Sequence, residues 1–187
     1  MNIISVDLPW NPGKKGRRAV VVADLDRNIK IMSAKDDDEM LALVRNNAEQ
    51  ESIVLLDIPI EGGEQKFRPV DRALARQGIW IQPSSSAGNR GKRLKELLKD
   101  KKGITVQEIY PYAVYKFLAY LKDRKLIGRL KPDRFEVLLD DSFRGFQPWK
   151  YKRERKKEER LKNMRYLYSL IMDTGTGLNY HIPLHYP

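Results

Sequence analysis

The chain has 187 residues, 41% hydrophobic and 33% charged, which provides enough apolar material for a packed core and too much for a disordered chain. It has no cysteine, which excludes disulfides, thiolate metal sites and cysteine nucleophiles, and no apolar run of the roughly 18 residues that a membrane span needs. The net charge of +11 favours anionic partners, of which nucleic acid is the commonest large one.

The opening segment lacks the basic, apolar and small-residue sections of a signal peptide, so a cytoplasmic location without a membrane partner is the expectation. Ile3 to Asp7 alternates and then meets Pro9, which predicts a strand and a turn. Trp10 to Gly16 is a loop by its Pro, Gly and Asn content. Ala19 to Ala23 is a β-branched run, and Ile29 and Ile31 start a third strand after a turn at 26–28, so the first three strands form an antiparallel meander. Asp36, Asp37 and Asp38 suit the positive end of a helix that carries Met40, Leu41, Val44 and Ala48 inward. The continuous apolar run from Ile53 to Leu56 reads as a strand covered on both faces, ending at Asp57.

Pro69 opens a short helix with Val70, Ala73 and Leu74 inward, and Gly78 stops it. Pro83 to Gly91 reads as a mobile Ser/Gly linker into a basic helix from Lys92 to Asp100. Ile104 to Ile109 is a strand ended by Pro111, and Val114, Phe117, Leu118 and Leu121 mark the inner side of the next helix. The stretch from Lys122 to Trp149 carries no clear pattern. A long basic helix is expected over about 150–172, followed by an irregular tail. Three antiparallel strands followed by helix-linked parallel strands give an α/β chain with the RNase H-like order, a mixed sheet flanked by helices in a single domain over 1–187. A generic mixed α/β sandwich shares the pattern.

Asp7, Asp57 and Glu108 each fall at a predicted strand end, where ligands of such sheets collect. Two or three carboxylates there repel one another unless a cation lies between them, and an all-oxygen donor set suits Mg²⁺ or Mn²⁺. Such ions serve phosphodiester hydrolysis by activating water and stabilising the leaving oxygen. Each acid also has a plainer structural role open to it: Asp7 capping a turn, Glu108 pairing with a lysine. Asp71, flanked by basic residues, reads as a surface acid.

These pieces resemble a known family. The opening strand with Asp7, the segment Leu56-Asp57-Ile58-Pro59-Ile60, the segment from Arg68 to Arg76 and Val106-Gln107-Glu108-Ile109-Tyr110-Pro111 look, in order and spacing, like the family called domain of unknown function 429. Its members are predicted RNase H-like nucleases. The resemblance covers roughly Met1 to Leu121. It implies an RNase H-like fold, a divalent-metal site at Asp7 and Asp57 with Glu108 nearby, and Arg72 and Arg76 facing that site. Two features depart from the family: Tyr112 stands where members often have a second Glu, and no acidic helix follows Tyr180.

Basic residues cluster twice. Between Lys150 and Arg165 nine basic residues face three acidic ones, and between Arg90 and Lys102 seven face two. Lys150, Lys152, Arg153, Arg155 and Lys156, together with Arg90, Lys92 and Arg93, are therefore candidate contacts to DNA or RNA phosphates, beside Arg72 and Arg76. Three functions compete. The first is a metal-dependent nuclease built on Asp7, Asp57 and Glu108. The second is a non-catalytic nucleic-acid-binding protein on the same scaffold, favoured by the missing fourth carboxylate. The third is a phosphotransferase of the actin and sugar-kinase type, suggested by the glycines between Asp7 and Arg18.

Overall fold

The computed structural model describes residues 2–9, 16, 18–24, 28–62, 64–79, 82–87, 89–99, 103–126 and 141–148, with single positions at 158, 162, 165 and 166. The chain groups into two compact units. The first comprises the described residues of Met1–Asp71 and Gln82–Tyr110; the second comprises those of Arg72–Ile81 and Pro111–Asn179. The elements are β1 (Asn2–Asp7), β2 (Arg18–Asp24), β3 (Ile29–Ala34), α1 (Asp37–Asn47), β4 (Ile53–Leu56), α2 (Pro69–Arg76), α3 (Arg90–Lys99), β5 (Thr105–Glu108), α4 (Pro111–Asp123) and α5 (Asp141–Gly145), with a 3-10 turn at Ser84–Ser86. No helix among the described residues is long and apolar enough to cross a membrane.

The first unit is an α/β layer around a five-stranded mixed sheet of order β3-β2-β1-β4-β5. β1 pairs antiparallel with β2, and β2 with β3; β1 pairs parallel with β4, and β4 with β5. The expected meander and the change to parallel pairing are therefore both present. Alternation sets the faces. Ile4, Val6, Val20, Val22, Val54, Leu56 and Val106 point to the side covered by α1 and α3, where they pack with Met40, Leu41, Val44, Leu94 and Leu98. Residues one step out of phase carry the other face, and two of them, Ile3 and Ile31, are exposed.

α1 forms where the sequence signals it. Asp36 caps the helix by accepting from the Glu39 amide at 2.9 Å, and Glu39 reaches back to the Lys35 amide at 2.9 Å, a reciprocal cap that satisfies two amides. α3 starts at Arg90 rather than Lys92, because its first turn is pressed into the core. A Cβ on Gly91 would lie 1.8 Å from the Pro59 carbonyl oxygen, so only glycine allows this approach. The Pro83–Gly91 stretch is accordingly not a linker: Ser84 is fully buried, and Gly91 is the contact point of a helix on a loop.

The second unit has an aromatic core of Ile79, Tyr120 and Phe143 backed by Leu74, Phe117 and Phe146. The Phe143 ring meets Tyr120 and Phe117 edge-on, with centroids 5.2 Å and 6.2 Å apart. Here one expectation is corrected in part, since Leu121 is buried and Phe117 packs inward as read, but Val114 does not. α4 buries Tyr115, Lys116, Ala119, Tyr120 and Leu121, while Val114 is exposed, because the tyrosine-bearing side offers more apolar area than the valine side. Lys116 can be buried because its Nζ donates to the carbonyls of Gln77 at 2.8 Å, Arg144 at 3.1 Å and Gly78 at 3.3 Å, and lies 4.9 Å from the Phe143 ring centre. Burial pushes its ammonium below the usual lysine range. α5 occupies part of the segment that carried no sequence pattern. The long helix expected over 150–172 falls outside the described residues except at Glu158, Lys162, Arg165 and Tyr166, which are helical, and the tail lies outside them altogether.

Candidate functional site

The parallel pairing of β1 with β4 decides which acids meet. Its register matches Val6 with Leu56, and the Asp57 amide donates to the Val6 carbonyl at 3.0 Å. Asp7 and Asp57 each stand one residue beyond that pair, so they lie side by side at the carboxyl edge of adjacent central strands. By alternation they share the face opposite Val6 and Leu56. Asp7 is exposed and Asp57 half-buried. The buried Leu8, Ile58 and Ile60 anchor the chain just after each acid.

Glu108 belongs elsewhere. It is matched with Leu56, which puts it on the α1/α3 side of the sheet and out of phase with Asp57. Its carboxylate is also committed. Oε2 accepts from the Ile60 amide at 3.1 Å and from Arg68 Nη1 at 2.8 Å, and Oε1 accepts from Arg68 Nη2 at 2.5 Å. The three strand-end acids of the sequence reading therefore resolve into an Asp7–Asp57 pair and a separate Glu108 ion pair. Among the described residues no group of three or more acidic or histidine side chains is placed to hold a metal ion. A pair of carboxylates does fit Mg²⁺ or Mn²⁺, since Mg²⁺ characteristically takes one or two carboxylates and completes its shell with water and phosphate oxygens.

Arg68 is the centre of a cluster that sequence reasoning missed. Besides Glu108 it donates to Asp71 from Nη2 at 2.8 Å and from Nε at 3.1 Å, to Ser84 Oγ at 3.1 Å and to the Glu61 carbonyl at 3.0 Å. Arg68 Nη2 also donates to the Tyr110 hydroxyl, which itself donates to Asp71 at 2.9 Å, and the Ser84 hydroxyl donates to Asp71 as well. Asp71 is thus fully buried and not the surface acid expected from its basic neighbours. α2 turns that acid inward and leaves Val70 and Ala73 exposed, while Leu74 packs inward as read from the sequence. The reason is electrostatic: Arg68 precedes the helix and needs both carboxylates to be buried. Burial by itself would raise the Asp71 carboxyl, but the hydrogen bonds from Arg68, Ser84 and Tyr110 outweigh it and hold it far below the carboxylate range. Burial and the neighbouring Glu108 carboxylate raise the Tyr110 hydroxyl, and the two carboxylates raise the Arg68 guanidinium despite its burial. An open cavity of about 470 Å³, lined by Gly62, Gln65, Val70, Arg68 and Glu108, reaches this cluster from solvent.

The candidate phosphate contacts divide four ways. Lys92 and Arg93 are exposed on α3 and free to meet a large polyanion's backbone by position. Arg90, on the same helix, is buried and spent internally: Nε donates to Asp37 Oδ2 at 2.9 Å, Nη2 donates to Asp37 Oδ1, and Nη1 donates to the Pro9 carbonyl. Arg72 and Arg76 are exposed on the part of α2 that belongs to the second unit. Lys150, Lys152, Arg153, Arg155 and Lys156 lie outside the described residues. The α3 first turn, through Arg90 on Pro9 and Gly91 on Pro59, touches the chain two residues after Asp7 and two residues after Asp57. The chain matches no protein-family model and no curated protein.

Proposed function

We propose that the chain is a divalent-metal-dependent nuclease on an RNase H-like sheet, of the kind its resemblance to the domain-of-unknown-function family suggests. The observation that carries this reading is the β1–β4 register, which sets Asp7 beside Asp57 at the carboxyl edge of the sheet. The strand order β3-β2-β1-β4-β5, with only β2 reversed, supports the RNase H-like assignment. In this reading Asp7 and Asp57 hold Mg²⁺ or Mn²⁺, which when bound supplies an activated water and charge stabilisation at the leaving oxygen. Lys92 and Arg93 neutralise phosphates of the DNA or RNA backbone from the exposed side of α3. Glu108 acts at one remove: by accepting from the Ile60 amide it fixes the segment that follows Asp57. A cytoplasmic setting, where nucleic acid is abundant, goes with the proposal.

A second reading has its own observation. Because Glu108 is committed to Arg68, the edge offers a pair of acids rather than three, which suits a nucleic-acid-binding protein that performs no hydrolysis. Calorimetric titration with Mn²⁺ separates the two. The nuclease reading expects saturable binding that Asp7→Asn/Asp57→Asn abolishes. Wild type that takes up no Mn²⁺ while still binding nucleic acid favours the second.

A further inference from the structure

Asp37 opens α1 and stands between two buried arginines from distant parts of the chain. Its Oδ1 accepts from Arg18 Nε at 3.0 Å and from Arg90 Nη2, and its Oδ2 accepts from Arg90 Nε at 2.9 Å. Arg18 and Arg90 are 7% and 8% exposed, so both guanidinium groups give up water for this one carboxylate. Each arginine then grips a different foot of the β1–β2 connection. Arg90 Nη1 donates to the Pro9 carbonyl, two residues after Asp7, and Arg18 Nη1 donates to the Gly16 carbonyl, two residues before β2 begins. Arg18 also holds the Lys35 carbonyl at 2.9 Å, which ties the same unit to the capped start of α1. Among the described residues these hydrogen bonds run apart from those of the Arg68 cluster and form a second polar core.

We propose that Asp37 is a positioning residue for the candidate metal site: its single carboxylate, clasping Arg18 and Arg90, fixes both feet of the β1–β2 connection and thereby the strand end that carries Asp7. The clasp also locks the first turn of α3 to that strand end, since Arg90 is the first residue of the helix. The acid edge and the exposed Lys92 and Arg93 are held in one register by a residue that touches neither metal nor substrate. Asp37 is well mounted for the task. The free amides at the start of α1 favour its negative charge, and the reciprocal cap of Asp36 and Glu39 keeps that helix end from fraying. An unclasped edge places Asp7 wrongly by a fraction of an ångström or more, and a misplacement of about 1 Å costs on the order of 100-fold in rate.

The catalytic part of this proposal rests on the nuclease reading, and the test separates the two. Wild type, Asp37→Asn and Asp37→Glu are compared at a temperature where circular dichroism shows all three folded. Amide hydrogen exchange followed by mass spectrometry reads the clasp without reference to activity. The expected result for Asp37→Asn is faster exchange in peptides covering Leu8–Arg18 and the first turn of α3, with β4 and β5 unchanged and Asp37→Glu close to wild type. Mn²⁺-dependent cleavage of a labelled oligonucleotide reads the positioning. There Asp37→Asn is expected to lose kcat by about 100-fold with KM within about threefold, and Asp37→Glu to recover most of it. Exchange unchanged in Asp37→Asn overturns the clasp. Faster exchange with kcat unchanged leaves Asp37 a structural residue and overturns positioning. A wild type without Mn²⁺-dependent cleavage rejects the nuclease reading and the positioning role with it, while the exchange arm still decides the clasp.

Discussion

Single atoms decide several of the outcomes above, and Gly91 gives the sharpest case. Alanine is the better helix former by about 1 kcal/mol, so Gly91→Ala at an ordinary site in α3 would stabilise. Here the new Cβ meets the Pro59 carbonyl oxygen at 1.8 Å, and that oxygen belongs to backbone that cannot step aside cheaply. The clash wins, and a net loss of about 2 kcal/mol or more is expected as a lower urea midpoint. Asp71 gives a second prediction. Its carboxyl is held below the ordinary value of about 3.9, so its contribution is complete above that pH and is lost as pH falls toward the folded value. Asp37, lowered by Arg90 and Arg18 against its partial burial, acts in the same direction. Stability should therefore fall between about pH 4 and pH 2, and Asp71→Asn should be less stable than wild type at pH 7 by about 3 kcal/mol with a flatter acid limb in urea titrations. Neither residue's role was legible in the sequence. Asp71 sits among basic neighbours that read as its surface partners, and only the tertiary approach of Arg68, Ser84 and Tyr110 shows that it is interior.

At the scale of elements, the period of two does most of the sorting. The sequence located all five strands and placed Asp7, Asp57 and Glu108 at their ends, because β-branched runs bounded by proline carry that signal locally. What it lacked was phase between strands. Register is a long-range property, and a single step moves a side chain to the other face. That step separates Glu108 from Asp57 and yields a direct contrast. Glu108→Gln should lower the urea midpoint, since it removes one partner of the buried Arg68, yet leave Mn²⁺ affinity within about twofold. Asp7→Asn, at an exposed position, should change stability by less than about 0.5 kcal/mol and weaken Mn²⁺ binding by tenfold or more. The reverse pattern would put the site on the wrong face of the sheet. Helix faces were harder to read than strands. α2 and α4 each bury a charged residue, Asp71 and Lys116, and hydropathy patterning assigns such residues to solvent.

For the molecule as a whole, the excess of basic residues is the feature that composition showed at once, and its distribution is what structure adds. One of the candidate arginines, Arg90, is internal, so the exposed basic residues on α3 are Lys92, Arg93 and Lys99, beside the exposed Glu96. If Lys92 and Arg93 each meet a phosphate, the double substitution Lys92→Ala/Arg93→Ala should reduce the slope of log affinity against log salt by about 1.8 on duplex DNA, or about 1.4 on a single strand. Fluorescence anisotropy across a salt series reads this directly, and an unchanged slope would remove α3 from the interface. The central claim remains that Asp7 and Asp57 form a metal-dependent hydrolytic edge. The measurement that tests it most directly is a cleavage panel in Mn²⁺ and Mg²⁺ over single-stranded, duplex, hybrid and branched substrates, with wild type beside identically purified Asp7→Asn/Asp57→Asn. The account predicts metal-dependent cleavage by wild type and none by the double variant. Absence of cleavage by wild type on every substrate, or equal cleavage by both proteins, would contradict it.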